Sequence, residues 1–438
     1  MLTRGKSIAK LGFLLSAAVV VAGCAGADGN GTTSPSAGGG SADADATPSG
    51  TLTISSVTVG QEAVEWAIEK FEAMYPDVVV QVDFAGTEQY QSVLRTQLTS
   101  GTGPDIMFVQ PGDGTPSAMR SLAPPGFLED LSDMDFSSQV PASMDLVTAI
   151  DGARYFIPMS VSGIGVVYNE TAFNEVGLEV PNTWSGVLQF CADAQAAGKI
   201  PFALGAQTLW VTQLPNYALA STLVFGGAEA DFDAQMAAGA TSFEESPGWN
   251  LTFDKYMEMV DASCFNDDVL GTAFETTIGQ VASGEALSTI QVTAVAPAIA
   301  GAAPEGTVIS MYPLPATDNP AETWMPAAVG AGFGINADAQ NPVAARAFID
   351  LLADPEVLAE YATQTGAFPA IPTEAFEQPE SLAFMADLIA QDKVYPFMDQ
   401  LWPNARVQPA QYDGIQALLA GIGSISDLLA AMDAAYRS

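Results

Sequence analysis

Histidine is absent from all 438 residues of this chain. Its absence excludes Ser-His-Asp and Cys-His catalytic arrangements and zinc sites that use histidine ligands. It also removes the side chain that most often acts as a general base near neutral pH. Any catalysis would therefore have to rely on carboxylates, lysine, tyrosine or serine.

Basic residues are scarce. Lysine and arginine together number 13 against 51 acidic residues, which gives a formal net charge of −38. Such a charge repels nucleic acid and anionic lipid headgroups, so no nucleic-acid partner is expected. The simplest explanation of this charge is an acidic surface that keeps an exported protein soluble.

The 48% hydrophobic content indicates a packed protein, and the length of the chain allows two lobes with a core each.

Cysteine occurs only three times. Residues 1–23 carry basic residues and then an apolar run, Leu11 to Ala22, that is too short to span a bilayer comfortably. The run ends in Val-Ala-Gly before Cys24, which looks like a bacterial lipobox. We therefore predict a lipoprotein signal peptide over 1–23 and lipidation of Cys24. An ordinary cleaved signal followed by a chance cysteine is the alternative.

The other two cysteines, Cys191 and Cys264, fall on predicted helices. An exported protein can form disulfides, but the distance between two cysteines is not visible in the sequence, so a bridge and two free thiols both stay open.

Residues 24–50 are rich in Gly, Ser, Ala, Thr and Asp without apolar periodicity. This composition predicts a flexible tether between a lipid anchor and the folded part.

Folding is predicted to begin at Thr51. Strand, helix, strand, helix and strand alternate from Leu52 to Val109, a pattern typical of a parallel sheet with right-handed crossovers. Ligands bind beyond the carboxyl ends of the strands in such sheets. This rule points to residues 57–61, 86–90 and 110–114.

The stretch from Tyr155 to Gly205 carries four motifs in order: YFIP, GVVYN, GLEVPNTW and AGKIPFALG. A buried strand over 164–168, a helix opened by Thr183 and a second strand over 200–204 are expected here. The motifs resemble the carbohydrate-binding branch of family 1 of the extracellular solute-binding proteins, which serve ABC transporters. The resemblance extends over most of residues 51–438.

This resemblance implies an α/β, two-lobed periplasmic-binding-protein-like fold of type II, similar to maltose-binding protein. Each lobe would be a mainly parallel sheet flanked by helices, and hinge segments would cross between the lobes. We expect one lobe from 51–161 with 334–376 and the other from 162–333 with 377–438. The implied function is capture of a neutral saccharide for an ABC permease, by a monomer anchored to the outer face of a bacterial membrane. No catalytic residue, metal or cofactor is expected.

Candidate ligand residues come from two patterns. Sugar rings stack on aromatic side chains, and sugar hydroxyls bond to polar groups near strand ends and loops. The glycine-rich GAGFG at 330–334 fails as a dinucleotide fingerprint, because Ile335 stands where glycine is needed, and suggests ligand approach or hinge motion. The candidates are Glu62, Glu88, Gln110, Asp113, Trp210, Trp324, Gly332, Phe333, Trp402 and Arg406.

One segment departs from the family pattern. Where relatives commonly carry a tryptophan in a motif like IQGSW, this chain has IQVTA over 290–294.

Two alternative functions stay open. One is a surface glycosidase or lyase, since paired carboxylates are plentiful. The other is a binding protein for a polyamine or other cation, which the negative charge of the chain would attract.

Overall fold

The computed structural model describes residues 47–379 and 382–438. The predicted signal peptide 1–23, the predicted lipidation site Cys24 and the tether up to residue 46 lie outside the described residues. Within the described part, no helix has both the length and the apolar character needed to cross a membrane.

The described residues contain twelve strands. Their bounds are β1 (Gly50–Val57), β2 (Val78–Ala85), β3 (Ile106–Val109), β4 (Ile157–Pro158), β5 (Ser160–Asn169), β6 (Ile200–Phe202), β7 (Ala286–Val292), β8 (Ile309–Tyr312), β9 (Met325–Val329), β10 (Gly332–Ile335), β11 (Phe368–Pro369) and β12 (Val394–Tyr395).

The α-helices described by the structure number sixteen. Their bounds are α1 (Gln61–Met74), α2 (Thr87–Thr99), α3 (Met119–Leu122), α4 (Asp145–Thr148), α5 (Glu170–Val176), α6 (Trp184–Ala196), α7 (Leu214–Ala220), α8 (Phe232–Ala237), α9 (Pro247–Asp261), α10 (Phe274–Ala282), α11 (Ala296–Ala302), α12 (Pro342–Leu352), α13 (Pro355–Gln364), α14 (Ala383–Ala390), α15 (Val407–Leu419) and α16 (Ile425–Tyr436).

The first sheet has the strand order β2-β1-β3-β10-β4. Strands β1, β2 and β3 are parallel, and β10 runs antiparallel between β3 and β4. The buried carboxylate of Asp105 accepts hydrogen bonds from the backbone N–H groups of Thr53 at 2.9 Å and Asn341 at 3.0 Å. It therefore ties the start of β3 to β1 and to the entry of α12, far along the chain.

The second sheet has the order β12-β9-β5-β7-β6, with β8 and β11 also paired to β5. The long strand β5 is antiparallel to β7, β8, β9 and β11, while β6 with β7 and β9 with β12 are parallel. This sheet is mixed, whereas the family resemblance implied mainly parallel sheets. Strand β5 follows β4 of the first sheet without a helix between them. Parallel neighbours need a long crossover connection, so a strand that is reached without one need not run parallel to its neighbours.

The chain passes between the sheets at several points. It leaves β4 and enters β5 across Met159, and it leaves β9 and enters β10 across Gly330 and Ala331. A later segment, β11, pairs with the start of β5 after α13 has packed on the first sheet. Each sheet with its helices buries its own apolar core, so the described fold has two lobes that these segments connect.

The segment 182–204 shows how local signals become structure. The side chain of Thr183 accepts a hydrogen bond from the Gly186 N–H at 3.1 Å and caps α6, as predicted. The helix ends two residues before Gly198, which has a positive φ of 73°. Cys191 on α6 and Cys264 after α9 are joined by a disulfide with their Cα atoms 4.9 Å apart, and both are fully buried in the second core.

Candidate functional site

A cavity of about 200 Å³ lies between the two lobes. The first lobe lines it from the carboxyl end of β1, the start of α2 and the end of β3, as at Val57, Thr87 and Gln110. The second lobe lines it from β5 and from the elements that carry Trp210 and Asp399. The cavity therefore lies beyond the carboxyl ends of the parallel strands, where such sheets bind ligands.

The loop after β3 brings the first lobe into backbone contact with the second. Gln110 pairs with Ala118, so the intervening residues fold back and place Thr115 in the cavity wall. The N–H of Asp113 donates to the carbonyl oxygen of Gln400 at 3.3 Å. A side chain at Gly114 would put a Cβ 1.9 Å from the Asp399 carbonyl oxygen. Only glycine allows this approach.

Asp399 belongs to the part of the cavity wall that the second lobe contributes. The residue is 8% exposed, and its side chain accepts a hydrogen bond from the Gln408 amide at 3.2 Å. The same amide donates to the side-chain oxygen of Gln213 at 3.2 Å. Burial raises the pKa of Asp399 to about 6, and the neighbouring Tyr217 hydroxyl partly offsets this effect. No ion pair among the described residues includes Asp399.

Aromatic rings complete the wall around this cluster. Trp210 lines the cavity and packs against Phe274, with the ring centroids 5.1 Å apart. Tyr217 and Tyr412 line it as well, and burial raises the pKa of both hydroxyls well above 10. These hydroxyls stay neutral near physiological pH and serve as hydrogen-bond donors and acceptors.

Three buried polar atoms in the cavity wall have no hydrogen-bond partner among the described residues. They are the hydroxyls of Thr115 and Tyr217 and the side-chain oxygen of Gln400, and their residues are 2%, 1% and 7% exposed. The amide nitrogen of Gln400 is fixed by the Val329 carbonyl at 2.8 Å, so the oxygen cannot turn away without breaking that bond. Unsatisfied buried polar atoms are costly, and a polar ligand could give each of them a partner.

Charged side chains are rare in the cavity lining. Among the described residues that line it, no lysine or arginine appears, and Asp399 is the one carboxylate. Glycoside hydrolysis commonly needs a pair of carboxyl groups, which this lining does not provide. The described residues also contain no cluster of three or more cysteine, aspartate or glutamate side chains suited to a metal ion.

Four of the predicted ligand residues lie at or beside the cavity. Gln110 and Trp210 line it. Glu88 lies at its edge, where its carboxylate accepts a hydrogen bond from the Trp210 N–H at 3.2 Å. Asp113 belongs to the loop after β3 that contacts the second lobe. Its carboxylate accepts a hydrogen bond from the Ser121 hydroxyl at 3.4 Å, and burial raises the pKa of this carboxyl.

The other six predicted residues do not line this cavity. Glu62 and Arg406 are exposed at the starts of α1 and α15. Trp402 is 1% exposed and packs edge-on against Tyr217 in the second core. The remaining three have packing contacts elsewhere: Trp324 covers Gly226, Phe333 lies in the first core, and Gly332 closely approaches the Ile157 carbonyl.

Sequence reasoning missed most of the polar cluster, namely Gln213, Asp399, Gln400 and Gln408. Asp399 and Gln400 form a polar pair inside the otherwise apolar segment YPFMDQLWP, which was an available signal. Gln408 and Tyr412 are four residues apart on α15 and share one face of it. The segment IQVTA has Val292 and Ala294 in the lining, so no aromatic side chain occupies that part of the wall.

Comparisons with known proteins agree on the kind of protein. The model of the family described as bacterial extracellular solute-binding protein matches residues 55–359. A multiple sugar-binding protein of Streptococcus mutans is 24% identical over 349 residues, covering 76% of this chain and 78% of that protein.

Solved structures show the same fold. The solute-binding protein RafE in complex with raffinose superposes with a TM-score of 0.72 at 22% identity, covering 88% of this chain and 98% of that one. A chitin oligosaccharide binding protein superposes with a TM-score of 0.74 at 17% identity, covering 88% and 99%.

Proposed function

This chain belongs to the bacterial extracellular solute-binding protein family, and on that premise we propose that its interlobe cavity binds a neutral saccharide. Membership of this family makes it a binding protein rather than an enzyme. The relatives named above include proteins described as binding multiple sugars, raffinose and chitin oligosaccharides. Their names support a carbohydrate ligand here.

The observation that carries the proposal is the chemistry of the cavity wall. Amides, hydroxyls and a single carboxylate lie beside the rings of Trp210, Tyr217 and Tyr412. A sugar presents an apolar face for such rings and a rim of hydroxyls for such polar groups. The free polar atoms of Thr115 and Gln400 would each gain a partner from a sugar hydroxyl. A phosphorylated or sulfated ligand would find no basic side chain in the described lining.

Closure of the two lobes on the ligand is the proposed mechanism. Both lobes contribute lining residues, so a ligand in the cavity contacts both at once. The crossing segments near Met159 and Gly330 are the proposed hinges. A ligand stabilises the closed arrangement only by its greater affinity for that arrangement than for the open one. Contacts that form only in the closed arrangement therefore contribute to the affinity for the ligand.

The surrounding system follows as part of the same proposal. We propose that an ABC permease receives the sugar and that Cys24 carries a lipid which holds the monomer at the outer face of the membrane. Residues 24–50 would then act as the tether. The lobes would consist of 51–161 with 334–376 and of 162–333 with 377–438. The family description places the protein outside the cell.

A thermal-shift screen tests the proposed ligand class. The purified protein would be heated with neutral mono-, di- and trisaccharides, including raffinose and chitin oligosaccharides, and separately with polyamines and divalent cations. A ligand that binds only the folded state stabilises it by about 2.7 kcal/mol at a hundredfold excess over Kd. A raised unfolding midpoint with a neutral sugar that is recovered unhydrolysed supports the proposal. Stabilisation by polyamines or cations alone would contradict it.

A further inference from the structure

We propose that Asp399 determines the charge specificity of this cavity, admitting saccharides that offer it hydroxyl or ammonium donors and rejecting those that carry carboxylate, sulfate or phosphate. The inference rests on the proposed function and goes further, because it assigns selectivity to one side chain. It excludes uronic acids and sugar phosphates as ligands.

The position of the carboxylate is fixed by its neighbours. Asp399 lies in a short 3₁₀ turn, Met398–Leu401, which the Gln400 amide anchors to the Val329 carbonyl at 2.8 Å. Its side chain is held from one side by Gln408, and Gln408 is held in turn by Gln213. These contacts leave the carboxylate in the cavity lining in a defined orientation.

The charge of Asp399 is not neutralised within the protein. The described lining contains no lysine or arginine, and the described ion pairs do not involve this residue. A buried carboxylate is costly unless hydrogen-bond donors surround it. The Gln408 amide supplies part of that requirement. Ligand donors would supply the rest, which makes a donor-rich ligand favourable.

An anionic ligand would meet the opposite situation. Its charge would lie in a desolvated cavity against Asp399, without a cation to offset either charge. Like charges that are brought together in a poorly solvated site repel each other strongly and weaken binding. The net charge of −38 on the whole chain adds to the repulsion at longer range. Selection against anions is the physical consequence.

The test compares wild-type protein with Asp399→Asn, which keeps the shape of the side chain and removes its charge. Asp413→Asn is the matched control, because Asp413 is exposed on α15 and carries the same charge. Each protein would be titrated calorimetrically with the neutral sugars that stabilise it in the thermal screen. Galactose, galactosamine and galacturonate, with the corresponding glucose set, complete the panel.

The inference predicts that Asp399→Asn weakens binding of the neutral sugar at least tenfold and reduces the preference for the neutral sugar over its uronate, that Asp413→Asn leaves both unchanged, and that wild type binds no uronate more tightly than its neutral parent. Equal affinity of wild type and Asp399→Asn would overturn this inference and leave the proposed function standing. Tighter binding of a uronate by wild type would overturn it as well. Failure of every sugar in the screen would overturn the proposed function and this inference together.

Discussion

The carboxylate of Glu88, in the first turn of α2, accepts a hydrogen bond from the backbone N–H of Trp210 at 3.2 Å. Glu88 belongs to the first lobe and Trp210 to the second, so the bond joins the two lobes at the edge of the cavity. Trp210 lines the cavity, while Glu88 does not. The contact therefore reports on closure rather than on direct ligand binding.

Replacing Glu88 by alanine is predicted to weaken sugar binding about fivefold, because the closed state loses one hydrogen bond to a charged group that is partly exposed to solvent. Such a loss corresponds to about 1 kcal/mol. Calorimetry with the sugar from the thermal screen gives the affinity, and small-angle scattering gives the compactness. Gln89→Ala, on an exposed neighbour in the same helix, is the control. Unchanged affinity for Glu88→Ala would remove this contact from the closure mechanism.

Gly114→Ala is predicted to hold the lobes apart. The added Cβ would lie 1.9 Å from the Asp399 carbonyl oxygen, a distance that requires the backbones to separate. We expect a larger radius of gyration in scattering and a loss of sugar affinity of at least tenfold. Gly279→Ala serves as the control, since its Cβ would meet no atom within 4 Å. A variant that stayed compact and bound sugar normally would show that the loop adapts.

Much of the fold was predictable because its signals are local. The capping Thr183, the stop near Gly198 and the alternation of strands and helices before Val109 depend on residues close in sequence. The mixed second sheet was not predictable, because the direction of β5 depends on its entry from the other lobe.

The site was only partly predictable for the same reason. Gln110 follows a strand whose ligand edge is set by local topology, and the structure places it in the cavity lining. Asp399 and Gln408 reach the cavity through a turn and a helix near the end of the chain, and only long-range packing brings them there. Trp402 lies next to Pro403 and looked loop-like, yet its ring is buried in the second core.

The pH dependence of stability provides a further prediction. Burial raises the folded-state pKa of Asp399 from 3.8 to about 6. Between these values the folded protein holds a proton that the unfolded chain has released, so stability falls as pH rises through this window. The contribution is about 2 to 3 kcal/mol. Asp399→Asn should therefore unfold at a higher temperature than wild type at pH 7.5, and the difference should vanish near pH 4.

The same protonation is predicted to act on ligand binding in the opposite direction. Below about pH 6 the neutral carboxyl loses its charge-assisted bonds to sugar hydroxyls, so the affinity of wild type should fall. Tyr217 and Tyr412 are the titratable groups that face Asp399, and Glu88 faces Tyr412; both tyrosines stay neutral in this range. Calorimetric titrations from pH 5 to pH 8 check this, and a flat profile in wild type would contradict it.

Reduction of the Cys191–Cys264 disulfide is predicted to destabilise the second lobe. The bond has a sequence separation of 73 residues, and closing a loop of that length in the unfolded chain is worth about 4 kcal/mol. Urea unfolding of wild type with and without reductant measures the effect, with the Cys191→Ser, Cys264→Ser double variant as the control, which reductant should not alter. Two free thiols in the untreated protein would contradict the bond.

The most direct test of the central claim is a calorimetric titration of the neutral sugar from the screen into wild type, Trp210→Ala and Trp324→Ala. Trp210 lines the interlobe cavity, whereas Trp324 lies over Gly226 away from it. A sugar bound in this cavity predicts a loss of at least tenfold, about 1.4 kcal/mol, for Trp210→Ala and unchanged affinity for Trp324→Ala. Normal affinity for Trp210→Ala together with lost affinity for Trp324→Ala would contradict the account and move the binding site out of this cavity.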